Sequence, residues 1–296
     1  MNLHSILQPE VIVAALLILL PFFCAAFLPE RATAAVRAMP WFVRIAAPAL
    51  FCLPYALVAH AFRIFQWEWL ALYALLPVGV AFLLDQARAA DSSHRGNWRD
   101  FLVLAVLGLA VDLRWFEPAW PQGYAAFGKM LLLDAGIFAF LGVRRLDGVG
   151  FDLRLNRRDV VIGLREFSLY AVIAIPLGLY LGFLHFHALW PDPLHAIGAF
   201  VFTFLFIAIP EELYFRGWLQ NLLERRVGRR GALLLTAVLF GLSHWNKRTT
   251  SFNWRYVLMA ALAGIFYGRA WRAQRRVGAS ALTHATVDTL WSLLLR

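Results

Sequence analysis

Apolar residues run in long unbroken stretches along this chain, separated by short segments rich in arginine. The stretches VIVAALLILLPFF and FLVLAVLGLAV show no alternation of apolar and polar positions. A transmembrane helix needs about 17–25 largely apolar residues, whereas a strand of a membrane β-barrel alternates over about ten. The pattern therefore predicts an all-α fold, a polytopic transmembrane helical bundle of about 8–10 spans.

Ten candidate spans can be placed along the chain, with errors of several residues at each boundary. They lie at about 11–28, 45–62, 69–84, 100–113, 130–143, 167–184, 196–224, 231–245, 256–271 and 279–295. The seventh is long enough to be one long or kinked helix. If the ten cross alternately, 19 of the 28 Lys and Arg lie in loops on one side. The positive-inside rule then makes that side cytoplasmic and puts both termini outside.

The composition agrees with a membrane protein. Hydrophobic residues make up 61% of the chain and charged residues 16%, against roughly 25% charged in soluble domains. The net charge of +10 comes from arginine clusters between apolar runs, so it indicates membrane orientation, and we expect no nucleic-acid partner. Cys24 and Cys52 both fall in predicted spans, so no disulfide framework is expected. The preference for Arg over Lys and the high Ala content favour a GC-rich bacterial genome, which predicts the bacterial inner membrane.

The segment PEELYFRGW, residues 210–218, places three charged side chains directly after an apolar run. An ionisable side chain at the centre of a bilayer costs about 2.5–3.5 kcal/mol on insertion scales, so such residues are usually paired or functional. Glu212 and Arg216 are four residues apart and can pair along one helix face. Glu211 points about 100° away around the helix. We therefore expect one paired glutamate and one free glutamate.

Two further pairs of polar or aromatic residues occur at the same spacing. FGLSH places Phe240 and His244 on one helix face, and HATVD does the same for His284 and Asp288. Each pair alone is ambiguous, because a single histidine on an apolar helix is more often a packing residue.

The separation of the motifs suggests that they meet. Glu211 and His244 are 33 residues apart, and the midpoint falls at Val227 and Gly228, in the turn-like segment RRVGRR. Folding the chain there into an antiparallel helical pair returns Glu211 and His244 to one level, each roughly 25 Å from the turn at about 1.5 Å per residue. A glutamate in such a place can take a proton from water, His244 can orient that water, and His284 with Asp288 can stabilise or protonate a carbonyl.

Together the motifs resemble those of the CPBP family of intramembrane proteases, also called the CAAX protease or Abi family. The family pattern is EExxxR, FxxxH and then HxxxN or HxxxD, and it is present here, in order, as EELYFR, FGLSH and HATVD. The resemblance implies a glutamic-type intramembrane endopeptidase in which Glu211 and His244 activate water and His284 and Asp288 stabilise the oxyanion. Glu212, Arg216 and Phe240 would be supporting residues. Asp288 departs from the Asn common in prenyl-protein members, and Asp donates a hydrogen bond only when protonated.

The resemblance divides the chain into residues 160–296, a CAAX-protease-like transmembrane catalytic core, and residues 1–150, transmembrane helices of unknown role. The expected partners are membrane lipids and a membrane protein or a lipidated or hydrophobic peptide as substrate. In a bacterium we expect C-terminal anchoring or sorting tails or peptide precursors rather than prenylated proteins.

Three alternatives stay open on sequence alone. Two histidines and two carboxylates could hold zinc with an open water position, although the sequence lacks an HExxH helix, so the cofactor is undecided and no metal ligand is assigned. Intramembrane Glu, His and Asp also form relays in proton-coupled transporters, but the inverted repeats typical of carriers are not apparent. The third alternative is a non-catalytic membrane scaffold or immunity protein.

Overall fold

The structure is a computed structural model that describes residues 8–186, 192–247 and 251–295. Within these ranges the chain is helical and contains no β-strand, which confirms the predicted all-α class. The helices are α1 Pro9–Phe27, α2 Pro29–Ala38, α3 Trp41–Ala61, α4 Trp67–Ala90, α5 Trp98–Asp112, α6 Ala125–Val143, α7 Arg157–Tyr180, α8 Pro193–Leu242, α9 Trp254–Gln274 and α10 Val277–Leu294.

Six of these helices, α1, α3, α4, α6, α7 and α8, are long and apolar enough to cross a membrane. Their most apolar windows have mean hydropathies of 1.7 to 2.5. Many large apolar side chains on these helices are exposed in the isolated chain; Val172 on α7, for example, is 75% exposed. Apolar surfaces of this extent are unfavourable in water and are covered by lipid in a membrane. The protein is therefore an integral membrane protein.

The predicted turn between the seventh and eighth spans is present, within the helical run α8. This helical run of 50 residues breaks at Gly228, whose φ of 74° and ψ of 170° are not helical. The break divides α8 into arm A, residues 193–227, and arm B, residues 229–242. The arms return alongside each other, since the rings of Phe215 and Phe240 have centroids 5.0 Å apart. The two positions lie 13 and 12 residues from Gly228, as an antiparallel hairpin requires.

One helix was not expected. Residues 29–44 were assigned to a loop, but α2 occupies Pro29–Ala38. Its alanines favour helix strongly and Pro29 stands at the first helical position, where a missing N–H costs nothing. The hydropathy pattern missed α2 because its ten residues include three charges and contribute no buried side chain.

The chain divides into two compact units, Met1–Asp147 and Gly148–Arg296. In the first, a buried ion network closes the end of α6. Arg144, which is 4% exposed, binds the carboxylates of Asp91 and Asp100. Burial alone would raise the pKa of Asp91, but the backbone N–H groups of Gly96 and Arg95 and the Arg144 guanidinium hold that pKa below its ordinary value. The network fixes the turn between α4 and α5.

The second unit packs α7, both arms of α8, α9 and α10 together. Arm B approaches α9 closely at Gly241, where an added Cβ would lie 2.7 Å from the Cβ of Ala261. Small residues at such a crossing let two helix backbones come together, as is common between membrane helices. This contact brings the end of arm B, with His244 just beyond it, against α9.

An arginine clamp sets the start of α10. Arg276, the residue before α10, donates to both carboxylate oxygens of Asp159 at 3.0 Å and to the carbonyl of Arg154 at 2.8 Å. Asp159 also completes a capping box with Asn156 at the N-terminus of α7. One carboxylate therefore joins the beginnings of α7 and α10, and α10 carries His284 and Asp288.

Replacing Gly150 by alanine is expected to destabilise the second unit. Gly150 has a φ of +73°, and an added Cβ would overlap the backbone carbonyl of Arg275 beside the start of α10. Gly182 has a similar φ of +61° but no atom within 4 Å of an added Cβ. Gly182→Ala should therefore cost only the backbone strain, about 1–2 kcal/mol, and Gly150→Ala clearly more. Apparent melting temperatures in detergent measure both variants, and equal shifts would contradict the close approach.

Candidate active site

The paired glutamates lie on an irregular part of arm A. A short α-helical turn, Ile209–Glu212, stands between two π-helical stretches, Phe204–Ala208 and Leu213–Gln220. Pro210 has no N–H to donate to the preceding turn, so the regular hydrogen-bond ladder cannot continue through it. Widened π turns within α-helices are frequent at functional sites. Here they turn Glu211 and Glu212 towards α10.

Glu212 is the most enclosed charge of the site. Its carboxylate is 0% exposed and accepts hydrogen bonds from the hydroxyl of Ser280 and from Nδ1 of His284, the latter at 2.9 Å. Nε of Arg216 lies 3.1 Å away, so the predicted i, i+4 ion pair is present. An ionised carboxylate without water is stable only with several donors of this kind. Glu212 thereby ties arm A to α10.

Arg216 is also completely buried and reaches α9. One terminal nitrogen donates to the carbonyl of Gly264 at 3.2 Å. Its guanidinium carbon lies 4.8 Å from the ring centroid of Phe240 and 5.6 Å from that of Tyr267. A desolvated guanidinium over aromatic faces is a favourable cation–π arrangement. Arg216 thus contacts Phe240 and Tyr267, the two aromatic rings that pack against the histidines.

His284 is surrounded by carboxylates. Nδ1 donates to Glu212, while Nε2 lies 3.4 Å from Asp288 and 3.9 Å from Glu211. The predicted pairing of His284 with Asp288 on one helix face is therefore present. The imidazole stacks on Tyr267, with centroids 4.5 Å apart and planes at 15°. With acceptors facing both ring nitrogens, the environment favours a doubly protonated ring.

His244 lies in a different environment. Its Nδ1 is 2.8 Å from the backbone carbonyl of Phe240 and so donates to it, because a carbonyl can only accept. Nε2 is then the acceptor atom of a neutral ring. The imidazole also contacts the rings of Phe240 and Tyr256, with centroids 4.9 and 5.0 Å away. The bond to its own helix leaves Nε2 available as a base.

Glu211 and His244 interact electrostatically but do not touch. Within the described residues no hydrogen bond or ion pair joins the two side chains, and the nearest histidine atom recorded for the Glu211 carboxylate is Nε2 of His284 at 3.9 Å. The Glu211 side chain is 37% exposed, yet its Oε2 is buried without a hydrogen-bond partner among the described residues. Because the polar atoms of Glu211 and His244 do not bond directly, the two side chains are suited to a bridging water.

A cavity of about 450 Å³ opens beside these groups. His244, His284 and Asp288 line it together, with Phe240 and Tyr267, and most of the remaining wall is aliphatic or aromatic. Glu211, Glu212 and Arg216 are not among its lining residues. A mostly apolar cavity with a few convergent polar groups is the usual form of a ligand site. This cavity can receive a hydrophobic chain and expose one polar bond to two imidazoles and a carboxylate.

The residues do not form a recognisable metal site. Among the described residues no group of three or more His, Cys, Asp or Glu is arranged to hold a metal ion. Nδ1 of His244 is hydrogen-bonded to a carbonyl and Nδ1 of His284 to Glu212, so each ring could offer only Nε2. A zinc centre needs at least three protein ligands converging on one point. The donor set therefore does not fit zinc.

Two residues of the site were not anticipated from the sequence. Ser280 precedes His284 by four residues on α10, so the i, i+4 rule could have placed it on the same face. Tyr267 carries no such signal, because it meets His284 only through the packing of α9 against α10.

All three motifs fall within one family-level match. Residues 193–290 match the family described as Rce1-like, the type II CAAX prenyl endopeptidases. The match covers about a third of the chain and confirms the resemblance stated above. It supports assigning the protein to CAAX-protease-like hydrolases of the membrane. No curated protein and no solved structure matches the chain.

Replacing Glu212 by glutamine is expected to lower stability sharply. The change leaves the buried Arg216 charge without its counter-ion, and removing one partner of a buried pair costs about 3–5 kcal/mol. Glu211→Gln is the matched control, because its side chain is partly exposed and its nearest recorded cationic atom is 3.9 Å away. Apparent melting temperatures of both variants in detergent test this, and a Glu212→Gln shift no larger than that of Glu211→Gln would contradict it.

Proposed function

We propose that the protein is an intramembrane endopeptidase that hydrolyses a peptide bond in a membrane-attached or hydrophobic protein. The observation that carries the proposal is an apolar cavity whose wall includes His244, His284 and Asp288, with Glu211 beside His284. The CAAX prenyl endopeptidase match covers every one of these residues.

Water activation is assigned to Glu211 and His244. The unpartnered Oε2 of Glu211 accepts a proton from water, and Nε2 of His244 accepts a hydrogen bond that orients it. The hydroxide so formed attacks the carbonyl carbon of the scissile bond. The tetrahedral intermediate then breaks its C–N bond, and the proton taken up by Glu211 passes to the leaving amine. Oε2 of Glu211 lies 3.9 Å from Nε2 of His284, so the basic and the electrophilic side chains are adjacent.

Charge stabilisation is assigned to His284 and Asp288. The His284 ring, held by Glu212 at Nδ1, presents Nε2–H towards the cavity, where an oxyanion would form. Asp288 contacts the same nitrogen at 3.4 Å and so helps to keep the ring protonated. Glu212 and Arg216 act as supporting residues, because they fix His284 and Phe240 without lining the cavity.

The substrate class follows from the cavity wall and the membrane setting. A wall built mainly from apolar and aromatic side chains favours a lipidated or strongly hydrophobic peptide segment. We propose the bacterial inner membrane as the location, with C-terminal anchoring or sorting tails or peptide precursors as substrates. The number of membrane crossings stays a prediction, and no role is assigned to residues 1–150.

Glu211→Gln is expected to reduce peptide-bond cleavage by about 10²–10⁴-fold, the usual loss when a general base is removed. Glutamine keeps the size of the side chain but cannot take a proton from water. Mass spectrometry of protein termini, in cells expressing the parent or the variant at equal levels, measures the change. Glu68→Gln on α4, which removes an exposed carboxylate, is the control that keeps parental activity. Identical termini in parent and Glu211→Gln cells would overturn the proposal in favour of a scaffold.

Exhaustive chelation is expected to leave the activity unchanged. Among the described residues no three His, Cys, Asp or Glu side chains are arranged as metal ligands, so the proposed steps are assigned to protein groups alone. The rate at which purified protein releases Glu211-dependent termini from isolated membranes, before and after chelation, measures this. Loss of activity that returns with added Zn²⁺ would favour the zinc-dependent alternative.

A further inference from the structure

The part of the proposed site that would stabilise the oxyanion contains few hydrogen-bond donors. Asp288 lies beside Nε2 of His284, but an ionised carboxylate only accepts hydrogen bonds. Glu211 and Glu212 are acceptors for the same reason. That leaves the single Nε2–H of His284 facing an oxyanion, although tetrahedral intermediates are usually held by more than one preorganised donor.

Tyr267 stands where a second donor is needed. Its ring lies on α9, stacks almost parallel on the His284 imidazole at 4.5 Å, and lines the same cavity. Stacked rings occupy neighbouring parallel planes, so polar groups on their edges can donate hydrogen bonds to the same substrate atom. Arg216 lies 5.6 Å from the Tyr267 ring centroid and holds the ring from another side.

The hydroxyl of Tyr267 has no hydrogen-bond partner among the described residues. The side chain is 1% exposed and lines the cavity. A phenolic hydroxyl beside a ligand cavity can donate a hydrogen bond to a bound group. Tyr170, on the same cavity wall, differs in this respect, because its hydroxyl donates to the carbonyl of Met259 at 3.5 Å.

We propose that Tyr267 is a catalytic residue whose hydroxyl donates a hydrogen bond to the carbonyl oxygen of the scissile bond. This role rests on the proposed peptidase function and adds a residue to it. The hydroxyl keeps its proton throughout; it donates weakly to the carbonyl and more strongly to the oxyanion after water has attacked. Preorganisation comes from the His284 stack and from Arg216, which hold the phenol before substrate arrives.

The test is Tyr267→Phe, which keeps the stacked ring and removes only the hydroxyl oxygen. Tyr180→Phe is the control, because it removes a phenolic hydroxyl from an 87% exposed side chain on α7 that does not line the cavity. Both variants and the parent are expressed at equal levels, and the rate at which Glu211-dependent protein termini appear is followed by mass spectrometry. Apparent melting temperatures in detergent check that each variant is folded.

Removing one oxyanion donor typically slows an enzyme by about 10²–10³-fold, so we expect that loss for Tyr267→Phe and less than threefold for Tyr180→Phe. The proposal is overturned if Tyr267→Phe cleaves at the parental rate, or if the two variants slow cleavage equally. If the parent itself yields no Glu211-dependent termini, the peptidase function fails and the role of Tyr267 fails with it.

Discussion

The buried carboxylate of Glu212 is the interaction on which the geometry of the second unit depends. It has no access to water and is stabilised by Arg216 from its own helix and by Ser280 and His284 from α10. At the low dielectric of a membrane interior each of these contacts is strong, and the loss of any one leaves a polar group unsatisfied. The relative position of arm A and α10 is therefore set by charge and hydrogen bonding. Apolar packing alone would allow one helix to slide along the other.

The same carboxylate gives the two imidazoles different characters. His284 is oriented by Glu212 and has a second acceptor in Asp288, so it is suited to carry positive charge. His244 is bonded through Nδ1 to the carbonyl of Phe240, and its Nε2 has no hydrogen-bond partner among the described residues, so it is suited to accept a proton. Pairs of titratable groups with opposed environments are the usual way in which one site provides both an acid and a base. Phe240 separates the two rings and contacts both.

Sequence reasoning succeeded where the physical rule is local. The break at Gly228, the Glu212 and Arg216 pair, and the His284 and Asp288 pair all follow from helical periodicity and chain length. It did not reach contacts that depend on how helices pack. Periodicity cannot reveal that Tyr267 stacks on His284. Nor can it reveal that Glu211 lies 3.9 Å from His284 while no hydrogen bond or ion pair joins it to His244 among the described residues. The assignment of catalytic roles stays a prediction.

The break at Gly228 also limits how this chain can vary. Arm A and arm B run back from that residue, so each inserted residue would advance one arm by about 1.5 Å and turn it by about 100° relative to the other. A single insertion between Glu211 and His244 would rotate one of these two side chains away from the other. Length variation in this half of the protein should therefore be confined to connections outside the hairpin, such as the segment between arm B and α9.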